Sequence, residues 1–147
     1  MQVKFKRNLI LLICMVLLLS ACANFYMETE VLGNVRHVQR RLQESDYYSQ
    51  QDINEAMDAV IAHFRSTFGG CSLIEIEYNE EKSVLQSDEW AKQYSTEQAI
   101  VLYSVFDVRS ESAAASGLTP GETYRNWAWI LVRNGHTPWQ LKTWGYG

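Results

Sequence analysis

SQQDINEAMDAVIAHFRSTFGGCSLIEIEY, residues 49–78, changes its apolar period midway. Ile53, Ala56, Met57, Val60, Ile61, Phe64 and Phe68 recur at helical spacing. They form one apolar stripe of an amphipathic helix over 50–68. Ser49 is the expected N-cap, and Asp52 suits the positive end of the helix dipole. Gly69-Gly70 supplies a left-handed stop. The period then drops to two. Ile74, Ile76 and Tyr78 alternate with Glu75 and Glu77, the mark of a half-exposed strand. A wide helical stripe followed by a half-apolar strand predicts a helix packed on a sheet.

The rest of the chain supplies that sheet. Asn79 to Lys82 reads as a polar turn, and 87–94 as a short helix capped by Ser87, with Trp90 and Tyr94 on one face. Residues 98–109 form a strand apolar on both sides. Ala99, Val101, Tyr103 and Val105 line one side, and Ile100, Leu102, Phe106 and Val108 the other, as in a central strand. Residues 110–123 make a long loop. Residues 124–133 form a third strand, with Trp127, Trp129 and Leu131 on one face. Asn134-Gly135 predicts a hairpin, and a fourth strand follows Pro138, from Trp139 to Tyr146. The expected class is α+β, one long amphipathic helix on a curved antiparallel sheet of about four strands. It is compatible with a cystatin-like or nuclear-transport-factor-like cone, an analogy that carries no function.

The N-terminus is of another kind. Lys4, Lys6 and Arg7 precede an unbroken apolar run over residues 9–19, and Leu19-Ser20-Ala21-Cys22 follows. This is the layout of a secretory signal. Eleven helical residues reach about 17 Å, short of the roughly 30 Å hydrocarbon core of a bilayer. Leu19-Ser20-Ala21-Cys22 resembles the lipobox of bacterial lipoproteins. The resemblance implies diacylglycerol on the Cys22 sulfur and cleavage before Cys22. It also implies anchoring in the cell membrane or outer membrane on the extracytoplasmic side. Palmitate-type acyl chains on one cysteine hold durably where a single chain holds only marginally. The organisation expected is a signal peptide over 1–21, a lipid anchor and tether over 22–48, and a single domain over 49–147.

Within the tether, Val31, Val35, Val38 and Leu42 have helical spacing that Gly33 and Asn34 interrupt. Arg36, Arg40 and Arg41 form a basic cluster suited to anionic headgroups or, more simply, to a solvated face. Elsewhere the chain is acidic. Its net charge is -4, from 13 basic and 17 acidic side chains. All the acids but only ten of the basic residues follow residue 21. That balance argues against nucleic acid as a partner. Of three cysteines, Cys14 leaves with the signal and Cys22 carries lipid. Cys71 remains alone, so the mature chain has no intramolecular disulfide. It reads as a buried core residue rather than a reactive thiol.

Two further segments and two strands carry a second resemblance: Phe64 through Cys71, the Ile100–Val108 strand, Asn126 through Arg133, and Trp139 with Trp144-Gly145-Tyr146. Over about residues 50–147 they look like small bacterial lipoprotein domains of unknown function. Such a family has no assigned activity, so no catalytic residue is carried over.

Motifs for catalysis are missing from the sequence. There is no nucleophile elbow, SxxK pair, phosphate loop or dinucleotide fingerprint. His37, His63 and His136 belong to no ligand motif, and Glu75, Glu77, Glu80 and Glu81 read as a solvated edge, so no metal or other cofactor is expected. The remaining lead is aromatic. Tyr103, Asp107, Trp127 and Trp129 would line a pocket if the sheet curves around them. The same pattern serves a helix-covered core, which is the favoured reading. The function expected is a lipid-anchored envelope lipoprotein acting as a binding or interaction module. Its partner is the membrane, through the lipid, plus an envelope protein or small ligand. The alternative is a ligand carrier or small enzyme with its site inside the cone.

Overall fold

A computed structural model describes residues 32–146. The signal, Cys22 and the start of the tether lie outside the described residues. The domain is α+β, a five-stranded sheet in the order β1-β2-β3-β4-β5 with two helices. The elements are β1 (Gln39–Leu42), α1 (Gln50–Thr67), β2 (Cys71–Tyr78), α2 (Glu80–Gln93), β3 (Gln98–Val108), β4 (Thr123–Arg133) and β5 (Gln140–Gly145). A 3-10 turn, Glu111–Ser116, lies in the loop between β3 and β4.

Helix α1 forms as its sequence dictates. Ser49 caps it in a reciprocal box with Asp52, and Ile53, Ala56, Met57, Val60 and Phe64 are buried. Phe68 closes the last turn, and Gly70 takes φ +78°. A Cβ on Gly70 would lie 2.4 Å from the Ser110 hydroxyl, so the β3–β4 loop packs closely there.

The sheet differs from expectation in three respects. It has five strands rather than about four, it is mixed rather than antiparallel, and helices cover both faces. The added strand is β1, whose spacing reads as helical. It pairs parallel with β2, from Gln39 opposite Glu75 to Leu42 opposite Tyr78. Asn34 begins this pairing, with Leu73 N–H donating to its carbonyl at 2.9 Å. Gly33 is the reason the chain fits. Its amide donates to the Arg65 carbonyl, and a Cβ there would lie 2.4 Å from the Phe64 carbonyl oxygen. The glycine that breaks the helical pattern is the point where backbone meets backbone.

Helix α2 is longer than expected and starts earlier. Asn79, placed in a turn by sequence, is the N-cap and accepts from the Lys82 amide. Ser87 is not a cap; it sits buried mid-helix and donates to the Ser83 carbonyl at 2.7 Å. The buried face of α2 is built on Ser83 and Ser87, small polar residues that leave almost no apolar period to read. They allow a close approach to the sheet. Ser83 Oγ accepts the Val101 amide at 3.1 Å. The Tyr48 hydroxyl donates to the Ala99 carbonyl at 2.6 Å. Both groups belong to the part of β3 that outruns its register with β2, which ends at Glu77 opposite Tyr103. The two side chains satisfy a strand edge that would otherwise be buried unpaired.

Three register shifts interrupt the sheet, one of them between Ile130 and Leu131 on the β4–β5 side, and the other two set which side chains face which layer. One lies between Leu73 and Glu75 and turns Ile74 outward, against its expected alliance with Ile76 and Tyr78. The other lies at Asn126, with φ 54°, and brings both Tyr124 and Trp127 to the α1 side. The β4–β5 connection is longer than a two-residue hairpin. Pairing resumes only at Gln140 opposite Val132, and Thr137 N–H donates to the Asn134 carbonyl. Trp139 is therefore not in the strand. It is buried, its Nε1 donating to the Asp52 carbonyl at 3.0 Å.

The main core lies between α1 and the sheet, around Phe64, Phe106, Trp129 and Leu131. A smaller cluster of Val101, Tyr103, Ala128 and Ile130 packs against Trp90 of α2 and Tyr94, which caps its C-terminal end.

Candidate functional site

The four residues read from the sequence as a possible pocket do not meet. Trp129 is fully buried in the main core, its Nε1 donating to Ser104 Oγ at 2.8 Å. Trp127 packs at the margin of the same core. Tyr103 faces the other side of the sheet, beneath α2. Its hydroxyl accepts from Gln86 Nε2 at 2.9 Å, and Lys82 Nζ lies 5.3 Å from its ring centroid. Asp107 is held at a strand end by Thr123 Oγ1 at 2.7 Å and Arg109 at 3.0 Å. The cause is the strict period of two: Tyr103 and Asp107 alternate away from the face that Phe106 and Trp129 share.

Trp127 nevertheless borders a cleft with different partners. Where α1 ends, its last residue Thr67 and the following Phe68 and Gly69 stand over the sheet. Ser116 and Leu118 close one side from the β3–β4 loop, and Trp127 and Trp144 form the floor. The cleft holds about 410 Å³ and opens to solvent. That lies within the range of small-ligand sites, roughly 300–1,000 Å³.

The walls are held by a continuous aromatic network. Phe68 meets Trp127 edge-on at 6.3 Å and Trp144 at 6.4 Å. Trp144 stacks on Trp129 at 6.1 Å, and Tyr146 meets Trp127 at 5.2 Å. Behind them lies His63, its ring 4.4 Å from Trp144. Burial pushes the His63 pKa down, so the ring is neutral at neutral pH. His63 Nε2 and Trp127 Nε1 are buried with no hydrogen-bond partner among the described residues. On the exposed side, Trp144 keeps 39% of its surface accessible and Tyr146 63%. Aromatic faces left open beside a rigid core can take a ligand with little reorganisation.

The signal for this cleft was divided in the sequence. Trp127 is in β4, Trp144 and Tyr146 share a face at the C-terminal end, and Phe68 ends the helical stripe. Leu118, in a loop without period, carries no signal of its own.

The cleft offers aromatic faces and two hydroxyl side chains, Thr67 and Ser116. None of its lining residues is a carboxylate, histidine, cysteine or lysine, so it presents no general acid, base or activated nucleophile. Cys71 is buried in β2, where desolvation pushes its thiol up to about 11. Such a thiol is unreactive at neutral pH. Among the described residues no group of three or more His, Cys, Asp or Glu is placed to hold a metal ion. No helix among them is long and apolar enough to cross a membrane. No protein-family model, curated protein or solved structure matches the chain.

Proposed function

We propose that this chain is a lipid-anchored extracytoplasmic lipoprotein of the bacterial envelope whose folded domain is a binding module, with the Phe68–Leu118–Trp127–Trp144 cleft as its binding site. The anchor rests on Leu19-Ser20-Ala21-Cys22, where a short apolar run ends in a cysteine. The binding role rests on one observation, the 410 Å³ cleft floored by indole rings. A ligand with a flat apolar ring fits that floor, because aromatic faces reward stacking over directional bonding. The lining carries no catalytic group, which favours carriage or recognition over turnover.

The test of the anchor is metabolic labelling with palmitate in cells expressing the full chain. The wild type should incorporate label and sediment with membranes, and Cys22→Ala should lose both. Retention of Cys22→Ala at the membrane together with an unlabelled wild type removes the lipoprotein reading. The test of the cleft is titration of the mature chain with 1-anilinonaphthalene-8-sulfonate. Binding should enhance the dye's emission and quench tryptophan, and Trp144→Ala should weaken it at least tenfold. Equal binding by that variant removes the cleft from the account.

A further inference from the structure

We infer that the Leu32–Arg36–Arg65 face is the surface this domain turns toward an anionic lipid bilayer, an inference that rests on the lipid-anchor reading above. Of the basic cluster seen in the sequence, Arg40 pairs with Asp58 and Arg41 with Glu75. Arg36 has no carboxylate partner among the described residues. Neither does Arg65, which the fold brings beside it from the last turn of α1. Gly33 makes this possible, because its amide bonds the Arg65 carbonyl and draws the incoming chain across the helix end.

The two arginines and Leu32, which is 46% exposed, border one open hollow of about 390 Å³. The combination of guanidinium groups and an exposed apolar side chain matches a phospholipid headgroup and the acyl boundary beneath it. His37, also exposed, adjoins Arg36. On the opposite face of the sheet, α2 presents Glu80, Glu81, Asp88 and Glu89 against Lys82 and Lys92, whereas the hollow has two arginines and no carboxylate in its lining. An anionic surface attracts the hollow and repels the acidic face of α2.

The tether makes a weak attraction sufficient. Ten peptide steps separate Cys22 from Leu32, so the domain enters its fold within about 36 Å of the anchor. Each arginine near an anionic surface favours the bound orientation about fivefold. Two would not recruit a free domain of net negative charge. Once lipid holds the chain at the surface, the same contacts bias orientation instead of affinity. That orientation fixes how the cleft is presented.

The experiment uses the full lipidated protein in vesicles of phosphatidylcholine alone and of equal parts phosphatidylcholine and phosphatidylglycerol. An environment-sensitive fluorophore is placed through Ser66→Cys, beside Arg65, or through Leu85→Cys, on α2. The position-66 label should shift to the blue only with phosphatidylglycerol. Arg36→Gln with Arg65→Gln, or high salt, should abolish the shift while the protein still floats with the vesicles. The position-85 label should not move. Flotation with no lipid-dependent shift at position 66, or with a shift at position 85, overturns the orientation and leaves the anchor standing. Failure to float overturns the anchor, and the orientation falls with it. Binding of inorganic phosphate at Arg36 and Arg65 without vesicles marks a free-anion site and overturns the membrane assignment.

Discussion

The guanidinium of Arg133, on β4, donates to Asp52 Oδ1, in the first turn of α1, at 2.6 Å. The same Arg133 donates to Gln98 Oε1 at 2.6 Å and lies 4.1 Å from the Trp139 ring centroid. Asp52 also completes the cap of α1 with Ser49. One carboxylate therefore starts the helix and fastens it to the sheet. Arg133 keeps only 5% of its side chain accessible, so it cannot recover water if the partner is lost.

Asp52→Asn should cost about 3 kcal/mol of unfolding free energy, because it leaves a buried guanidinium without its counter-charge. Arg133→Met keeps the stacking volume on Trp139 and should cost less, since Asp52 retains Ser49. Chemical denaturation of the two variants checks the order. A smaller loss for Asp52→Asn than for Arg133→Met contradicts it.

Acid should release the same fastening. Burial pushes the Asp52 carboxyl up, but hydrogen bonds from Ser49 and Arg133 outweigh it and hold the pKa below the usual carboxylate value. A carboxyl with a lowered folded pKa stabilises the fold above its unfolded pKa, near 4, and the contribution disappears as pH falls through the folded value. Glu80 is lowered in the same way: burial opposes the shift, and hydrogen bonds from Ser45, Tyr78 and the Asp46 amide dominate. Unfolding midpoints between pH 5 and 2 should fall for the wild type and flatten in Asp52→Asn.

His63 acts in a higher window. Its depressed folded pKa makes the neutral ring the native form, fully stabilising above the unfolded pKa near 6.5 and lost as pH falls below it. His63→Phe retains an aromatic ring against Trp144 and removes the unpartnered Nε2. The variant should match or exceed wild-type stability, and its melting temperature should be flatter from pH 7 to 5. An unchanged slope in that range would show that His63 is not the titrating group.

What was legible in the chain follows from how strongly each element advertises a period. Helix α1 announces itself by a stripe of large apolar residues, a cap and a double glycine. Strands β3 and β4 do so by long β-branched and aromatic runs, and the α+β class follows from these. The second half of helix α2 is legible, but its first half is hidden because Ser83 and Ser87 are its buried residues, chosen for close packing and for the Val101 amide rather than for apolar area. Strand β1 is hidden because four residues at a sheet edge, three of them exposed, need no alternation. For the site, Trp127 was found and Phe68 and Leu118 were not grouped with it. Their convergence depends on the bulge at Asn126 and the angle at which α1 ends, both set by tertiary packing.

Gly33 gives a sharp test of the entry of the chain into the sheet. Gly33→Ala places a Cβ 2.4 Å from the Phe64 carbonyl oxygen and 3.0 Å from that of Phe68. Both are backbone atoms of the helix end and have little room to give. The variant should lose about 1–3 kcal/mol, the range of overpacking in a filled site. Hydrogen exchange should locate the loss at the Asn34 and Leu73 amides, which bond across this junction. A neutral substitution would mean that residues 33–34 do not pack on the helix end in solution.

The tryptophans separate folding from binding. Trp129 is inaccessible and hydrogen-bonded to Ser104, so Trp129→Ala should cost about 3–5 kcal/mol. Trp144 stacks on Trp129 and meets His63 at a tilt, but keeps 39% of its surface open at the cleft. Its replacement by alanine loses contact on one side only, and should cost clearly less stability than the loss of Trp129. Dye affinity should move the other way, falling most for Trp144→Ala once each variant is measured well below its melting temperature. The reverse pattern, with Trp144 governing stability and leaving the dye unaffected, would assign the open indole to the core and the cleft to no ligand.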